Sequence, residues 1–256
     1  MTTDIGLSWL HLEGAANVRD VGGLPLKAGG AVRPGVLIRS DNLQGLTESD
    51  VAVLSDLGLR EVIDLRHSKE VEKEGDGPLV RAGVHHNHLS VVPEVGENTD
   101  LDAEKILALR KGRWEAGPVE VYKGYLADGT ASVVGAARVV ATTDGASLVH
   151  CAAGKDRTGT VVAIILDAVG AERDAIVADY AASSEVIDAI LTRLTGSATY
   201  ASDLKDTDRK MHESKPETMA GLIAWVDSEW GGGAGWLTAH GLTDAELAAL
   251  RARLTG

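Results

Sequence analysis

The chain has 256 residues, 44% of them hydrophobic, and a net charge of −13 at pH 7. That charge disfavours nonspecific nucleic-acid binding and attraction of the whole protein to anionic membranes, so an anionic substrate would need a local positive site. A single cysteine excludes an internal disulfide and leaves a free thiol, which suits a reducing cytoplasm. Phenylalanine is absent and aromatics make up 4%, so Leu, Val, Ile and Ala must pack the core. No repeat or long linker divides the chain, and a single α/β domain can reach this length, so one domain over 1–256 is expected. The first residues lack the basic-then-apolar pattern of a signal peptide. The longest apolar run, around Val161 to Leu166, is too short to span a bilayer. The expectation is a cytoplasmic protein with no integral membrane segment, with export by another route left open.

Residues 12–40 suggest turns and short strands. Asn17 to Gly23 is polar and then glycine-rich, hence a loop, with Arg19 and Asp20 as a candidate buried pair. Gly29-Gly30 between Leu26 and Val32 predicts a hairpin turn, and 36–40 a strand. Thr47 and Asp50 have capping-box spacing ahead of Val51, Leu54 and Leu57, which predicts a helix closed by Gly58. Arg60 to Arg66 is the next strand, with Asp64 and Arg66 at its end. Residues 70–77 are charged and loop-like. His85, His86 and His88 follow, and His86 and His88 would share one side of a strand. No second cluster of ligands accompanies them, so no metal is expected. Residues 95–117 are the least defined, and 119–126 and 131–142 suggest helices.

The centre of the chain is Val149-His150-Cys151-Ala152-Ala153-Gly154-Lys155-Asp156-Arg157-Thr158-Gly159. An apolar strand leads in and an apolar helix, 160–169, leads out. Strand, glycine-containing loop and helix start make an anion site, because unpaired N–H groups and the helix dipole favour negative charge there. Cys151 and Arg157 bracket five residues, which puts a thiol at the base of the loop and a guanidinium at its rim. The helix start favours a thiolate nucleophile, and the planar arginine fork matches phosphate oxygens. Thr158 can donate to the sulfur, and His150 can tune it. Ala152, Ala153, Gly154, Lys155, Asp156 and Arg157 would hold the phosphate. Gly154-Lys155 is followed by Asp156, not Ser or Thr, which excludes a Walker loop.

Beyond the loop, 175–194 predicts one helix and 200–215 a polar loop. Pro216 opens a further helix that Gly231-Gly232-Gly233 breaks, and Thr243 caps a last one to Leu254.

The central string resembles the signature of the cysteine-dependent tyrosine and dual-specificity phosphatases. Its Gly154-Lys155-Asp156-Arg157-Thr158 variant is similar to the bacterial tyrosine/phosphoinositide phosphatases, of which mycobacterial members are known. Asn17-Val18-Arg19-Asp20-Val21-Gly22-Gly23 and Ile63-Asp64-Leu65-Arg66 match that family too. The resemblance implies an α/β, phosphotyrosine-phosphatase-like fold with a central, mostly parallel sheet flanked by helices. It implies hydrolysis of phosphotyrosine, and of phosphoserine/threonine or phosphoinositide monoesters, through a phosphocysteine on Cys151. Neither cofactor nor metal is needed, and inorganic phosphate is product and inhibitor. Arg19 and Asp20 would lie close to the loop and support it, Arg66 would support the site, and a helical lid insertion, about 95–130, is allowed. No Trp-Pro-Asp string supplies a mobile acid. The family implies Asp156 as general acid, with Asp64 assisting or substituting; on the residues alone, its place at the loop rim favours the acid role, and a mere pairing with Lys155 or Arg19 is the alternative. Lys155 adds a cation that suits a phosphoinositide headgroup. A phosphoinositide phosphatase as main activity and a non-catalytic phosphate-binding module are the alternatives.

Overall fold

The computed structural model describes residues 6–94, 103–204 and 208–256. In chain order its strands are β1 (Ser8–Trp9), β2 (Arg19–Asp20), β3 (Leu37–Ser40), β4 (Leu59–Asp64), β5 (His85–His88) and β6 (Ala146–His150). They form one sheet in the order β1-β2-β3-β6-β4-β5. β3, β6, β4 and β5 run parallel; β1, β2 and β3 pair antiparallel.

The helices are α1 (Glu48–Asp56), α2 (Ser68–Glu74), α3 (Pro78–Arg81), α4 (Ala103–Ala116), α5 (Pro118–Asp128) and α6 (Thr130–Thr142). After β6 come α7 (Asp156–Ala168), α8 (Arg173–Ala182), α9 (Ile187–Thr195) and α10 (Ala201–Leu204). A 3-10 turn at Arg209–His212 leads to α11 (Pro216–Trp230), α12 (Gly233–Ala239) and α13 (Asp244–Thr255).

Strand side chains alternate between the two faces, and both are covered, as parallel sheets require. Leu37, Ile63 and Val149 point into a large cluster with α5, α6, α7, α8, α11, α12 and α13. Ile38, Val62 and Leu148 point into a second cluster with Leu54 of α1 and Leu79 of α3. α7 is buried from Thr158 to Ala168. That is what the apolar run from Val161 to Leu166 predicts, and each fully buried Ile or Leu there stabilises by about 1.5–3 kcal/mol over exposure. α4 packs along α5. It buries Ile106, while Leu107 and Trp114 face solvent and Arg113 reaches Asp128.

Three expectations need correction. Residues 70–77 are not a loop: Ser68–Glu74 is a helix, started by a capping box in which His67 accepts from Lys69 N–H and Glu70 accepts from His67 N–H. Histidine is an unusual cap, which hides the start. The helix expected over 175–194 is two, broken where Ser183 is fully buried and its hydroxyl takes hydrogen bonds from Asn17 and Arg19. The 200–215 loop contains α10 and the 3-10 turn, and residues 205–207 lie outside the described residues. The part of the expected lid at 95–102 lies outside them as well.

Candidate active site

Strand register builds the floor of the site. Ser40 and Asp64 both pair with His150, so the ends of β3, β6 and β4 are level. The crevice outside the carboxyl ends of parallel strands is where α/β sheets bind ligands. Cys151 follows directly from β6 and is buried, and Asp156 opens α7, so the loop between them wraps a helix start. Gly154 has φ +65°, and a Cβ there would meet Ser40 backbone at 2.5 Å; only glycine fits.

The loop carbonyls are held outward. Asn42 N–H donates to Ala152 O at 3.0 Å. The Asn17 amide donates to Ala153 O at 3.0 Å and Gly154 O at 3.1 Å, and Arg39 Nη2 to Gly154 O at 2.8 Å. Among the described residues, no protein acceptor takes the N–H groups of Ala152, Ala153, Gly154 and Lys155. A peptide whose carbonyl is tied to the scaffold turns its N–H into the loop, where an anion can accept it.

The groups that tie it are themselves buried and fixed. Asp179 of α8 accepts from Arg19 Nε at 2.7 Å and from Arg39, with all three side chains at most 1% exposed. Arg19 also donates to the Asn17 side chain, and Asp41 accepts the N–H groups of Ala16 and Asn17 at 3.0 Å. Burial, with Arg39 close by, pulls the Arg19 pKa down to about 10, against the attraction of Asp179. Asp20 sits on the same short strand but turns the other way, accepting from the N–H of Gly22 and Gly35; no contact ties it to the phosphate loop.

Arg157 sits half-buried at the loop rim and is gripped by Glu70 of α2, Nη1 at 2.6 Å and Nη2 at 3.1 Å. Burial works against the Arg157 charge, yet Glu70 and Cys151 hold its proton affinity well above normal. Burial likewise pushes Glu70 up, but Arg157 and the His67 N–H keep it below the usual carboxylate range. Asp64 is fully buried and takes both Arg66 Nε and Nη2, the latter at 2.6 Å. His86 lies 3.1 Å and His150 3.5 Å from its Oδ2. Burial alone would raise the Asp64 pKa; His150, His86 and Arg66 hold it well below the carboxylate range. Asp64, His86 and His150 are close enough to share a cation, but the Arg66 guanidinium already neutralises the carboxylate. His150 Nδ1 lies 3.3 Å from Cys151 O. Thr158 is fully buried, its hydroxyl without a protein hydrogen-bond partner among the described residues.

Lys155 is buried and points away from the loop centre, donating to His212 O at 2.7 Å and lying 3.4 Å from Asp156 Oδ2. Asp156 is partly exposed at the start of α7, and the Tyr122 hydroxyl donates to its Oδ1.

Cys151, Lys155, Asp156 and Arg157 thus share one loop, with Thr158 and His150 behind it and Arg19 supporting it through Asn17 and Asp179. Asp64 and Arg66 form a separate buried pair one strand away. Sequence reasoning missed Arg39, Glu70, Tyr122 and Asp179 as parts of the site. None had a usable local signal: Glu70 follows a histidine cap, and all four are joined to the loop only by long-range contacts.

The sequence profile of the tyrosine phosphatase family matches residues 10–256. The chain is 29% identical to "Triple specificity protein phosphatase PtpB" of Mycobacterium tuberculosis, over 96% of this chain and 99% of that one. It is 27% identical to a tyrosine-protein phosphatase of Nostoc commune, over 88% of this chain and 76% of the relative. A putative tyrosine-protein phosphatase of Cupriavidus necator is 31% identical over 69% of this chain and 63% of its own. A buried cysteine beneath an outward-tied loop, an arginine at its rim and a match over nearly the whole sequence agree: the chain belongs to the tyrosine phosphatase family.

Proposed function

We propose that the protein hydrolyses phosphomonoesters, phosphotyrosine first among them, through a phosphocysteine on Cys151. The observation that carries this is the loop with its carbonyls tied outside and its N–H groups left for an anion, directly above the thiol. The Cys151 thiolate attacks phosphorus, the ester P–O bond breaks, and the leaving oxygen takes a proton. Loop N–H groups and Arg157 hold the three equatorial oxygens where charge gathers. Water then attacks phosphorus, its proton passes to the same acid-base group, the P–S bond breaks, and inorganic phosphate leaves.

Asp156 is the acid. It is partly exposed at the loop rim, whereas Asp64 is fully buried and bound twice by Arg66, far from any proton it could give to substrate. General acid assistance of this kind contributes about 10²–10⁴-fold. Asp64 and Arg66 act instead as a brace under His150, and Asp20 as a brace for the turn at Gly22. The "triple specificity" in the name of the mycobacterial relative supports a second substrate class bearing more than one phosphate, such as a phosphoinositide headgroup. α4 and α5 are proposed as the lid over this pocket.

The test is hydrolysis of p-nitrophenyl phosphate by wild type, Cys151→Ser, Asp156→Asn and Asp64→Asn, with EDTA present. Activity that survives EDTA and disappears in Cys151→Ser is expected. Turnover by Cys151→Ser, or phosphate binding by wild type without turnover, would refute the mechanism.

A further inference from the structure

The acid carries a feature that the cysteine chemistry alone does not need. Asp156 Oδ1 receives the Tyr122 hydroxyl from α5, and the Tyr122 oxygen lies 2.7 Å from the Tyr180 hydroxyl of α8. Both tyrosines are buried, at 3% and 2% exposure, while Asp156 is open to solvent on its other side. We propose that Tyr122, held by Tyr180, is a positioning residue that assigns the transferable proton of Asp156 to its Oδ2 oxygen and aims that oxygen at the leaving group. The proposal rests on Asp156 being the acid.

The argument is one of donors and acceptors. An ionised carboxylate only accepts, so the bond to Asp156 consumes the one proton of Tyr122. The Tyr122 oxygen then accepts from Tyr180, which gives the pair a direction: Tyr180 to Tyr122 to Asp156. Oδ1 is thereby kept as an acceptor, and a proton taken up by Asp156 must sit on Oδ2, the oxygen 3.4 Å from Lys155 Nζ. Burial and the Asp156 charge push the Tyr122 pKa far above that of a free phenol, so the hydroxyl stays a donor throughout.

The chain is also rigid. The Tyr122 ring meets Tyr180 edge-on with centroids 6.1 Å apart and stacks on Tyr125 at 5.8 Å. Tyr180 lies so close to α7 that a Cβ on Gly159 would fall 2.8 Å from its ring. The acid is therefore referenced to the helix that begins at the phosphate loop. Among the described residues, the charged and titratable groups that face Asp156 are Lys155 of the loop, Tyr122 and Tyr125 of α5, Tyr180 of α8, and His212 of the 3-10 turn. In the first step Oδ2 gives its proton to the ester oxygen as the P–O bond breaks. In the second it takes one from the attacking water as the P–S bond breaks.

The experiment compares two esters, p-nitrophenyl phosphate with a good leaving group and phenyl phosphate with a poor one. kcat/KM is measured from pH 4.5 to 8 for wild type, Tyr122→Phe, Tyr180→Phe and Asp156→Asn. Phenylalanine keeps the ring packing, and a melting curve checks that each variant is folded. In Tyr122→Phe, activity on phenyl phosphate should fall about tenfold more than on p-nitrophenyl phosphate, a part of the about 10²–10⁴-fold that acid assistance supplies. Tyr180→Phe should act in the same direction and less. Equal losses on both esters, or none, in Tyr122→Phe beside a discriminating Asp156→Asn overturn the proposal alone. Equal effects of Asp156→Asn on both esters overturn the acid reading and the proposal together.

Discussion

Replacing Asp179 by asparagine isolates the contribution of the buried triad to the loop. The carboxylate is the shared partner of Arg19 and Arg39, and none of the three side chains is more than 1% exposed. Asparagine keeps the shape and one acceptor but turns an amide donor toward one of the two guanidiniums. The bond from Arg19 Nη2 to the Asp179 carbonyl survives, so the chain is not simply cut loose. Breaking a buried ion pair on one side typically costs about 3–5 kcal/mol. With about 2–4 °C per kcal/mol for a chain of this size, Tm should fall by about 6–20 °C. A typical domain has about 5–15 kcal/mol in hand, so much of the protein should remain folded at 25 °C. There, kcat/KM for p-nitrophenyl phosphate should fall as well, because Arg39 is the donor to Gly154 O. Thermal unfolding followed by circular dichroism and steady-state kinetics on the same samples give both numbers. A Tm within about 2 °C of wild type together with unchanged kcat/KM would refute the claim that Asp179 holds the loop.

Gly154→Ala should cut kcat/KM strongly, since the new Cβ would press on the Ser40 backbone at 2.5 Å and the φ of +65° is unfavourable for alanine; wild-type kinetics would show that the loop yields. Glu70→Gln should weaken phosphate binding, read as a higher inhibition constant for inorganic phosphate, because Arg157 loses its charged clamp; an unchanged constant would count against it. Stability should fall in acid. Asp64, Glu70 and Asp179 all bind protons less readily folded than unfolded, so their contribution is complete above about pH 4.5 and is lost as pH falls through their lower folded values. Urea midpoints between pH 7 and pH 3 would test this, and a flat profile would contradict it.

What was legible in the sequence was local. The cap spacings at Thr47 and Thr243 each fix a helix start within four residues, and both capping boxes form. The Cys151 to Arg157 string likewise contains its own strand, turn and helix signals. What was hidden depends on partners far along the chain. Glu70 meets a guanidinium 87 residues on, and Asp179 meets Arg19 at a separation of 160. No period or spacing encodes such pairs. The break between α8 and α9 has no Gly or Pro to announce it; a buried Ser183 hydroxyl, serving Asn17 and Arg19, sits there instead. α12 was missed because it is short and glycine-led, and its start is held by Asp167 accepting Gly233 N–H at 2.6 Å. Asp64 came up as an assisting acid through the family resemblance alone; its full burial against Arg66 is a tertiary fact that no spacing announces.

Asp179 and Tyr180 are neighbours on α8, yet one leads to a loop carbonyl through Arg39 and the other to Asp156 through Tyr122. Their joint aim depends on the rotational phase of a single helix. Each residue of an α-helix turns it by about 100°, so one insertion or deletion in the first turns of α8 would swing both side chains off target together. Side-chain replacements there can be compensated one at a time, but a change in length cannot. In descendants of this chain, the span from Arg173 to Asp179 should therefore vary in composition and hold its residue count.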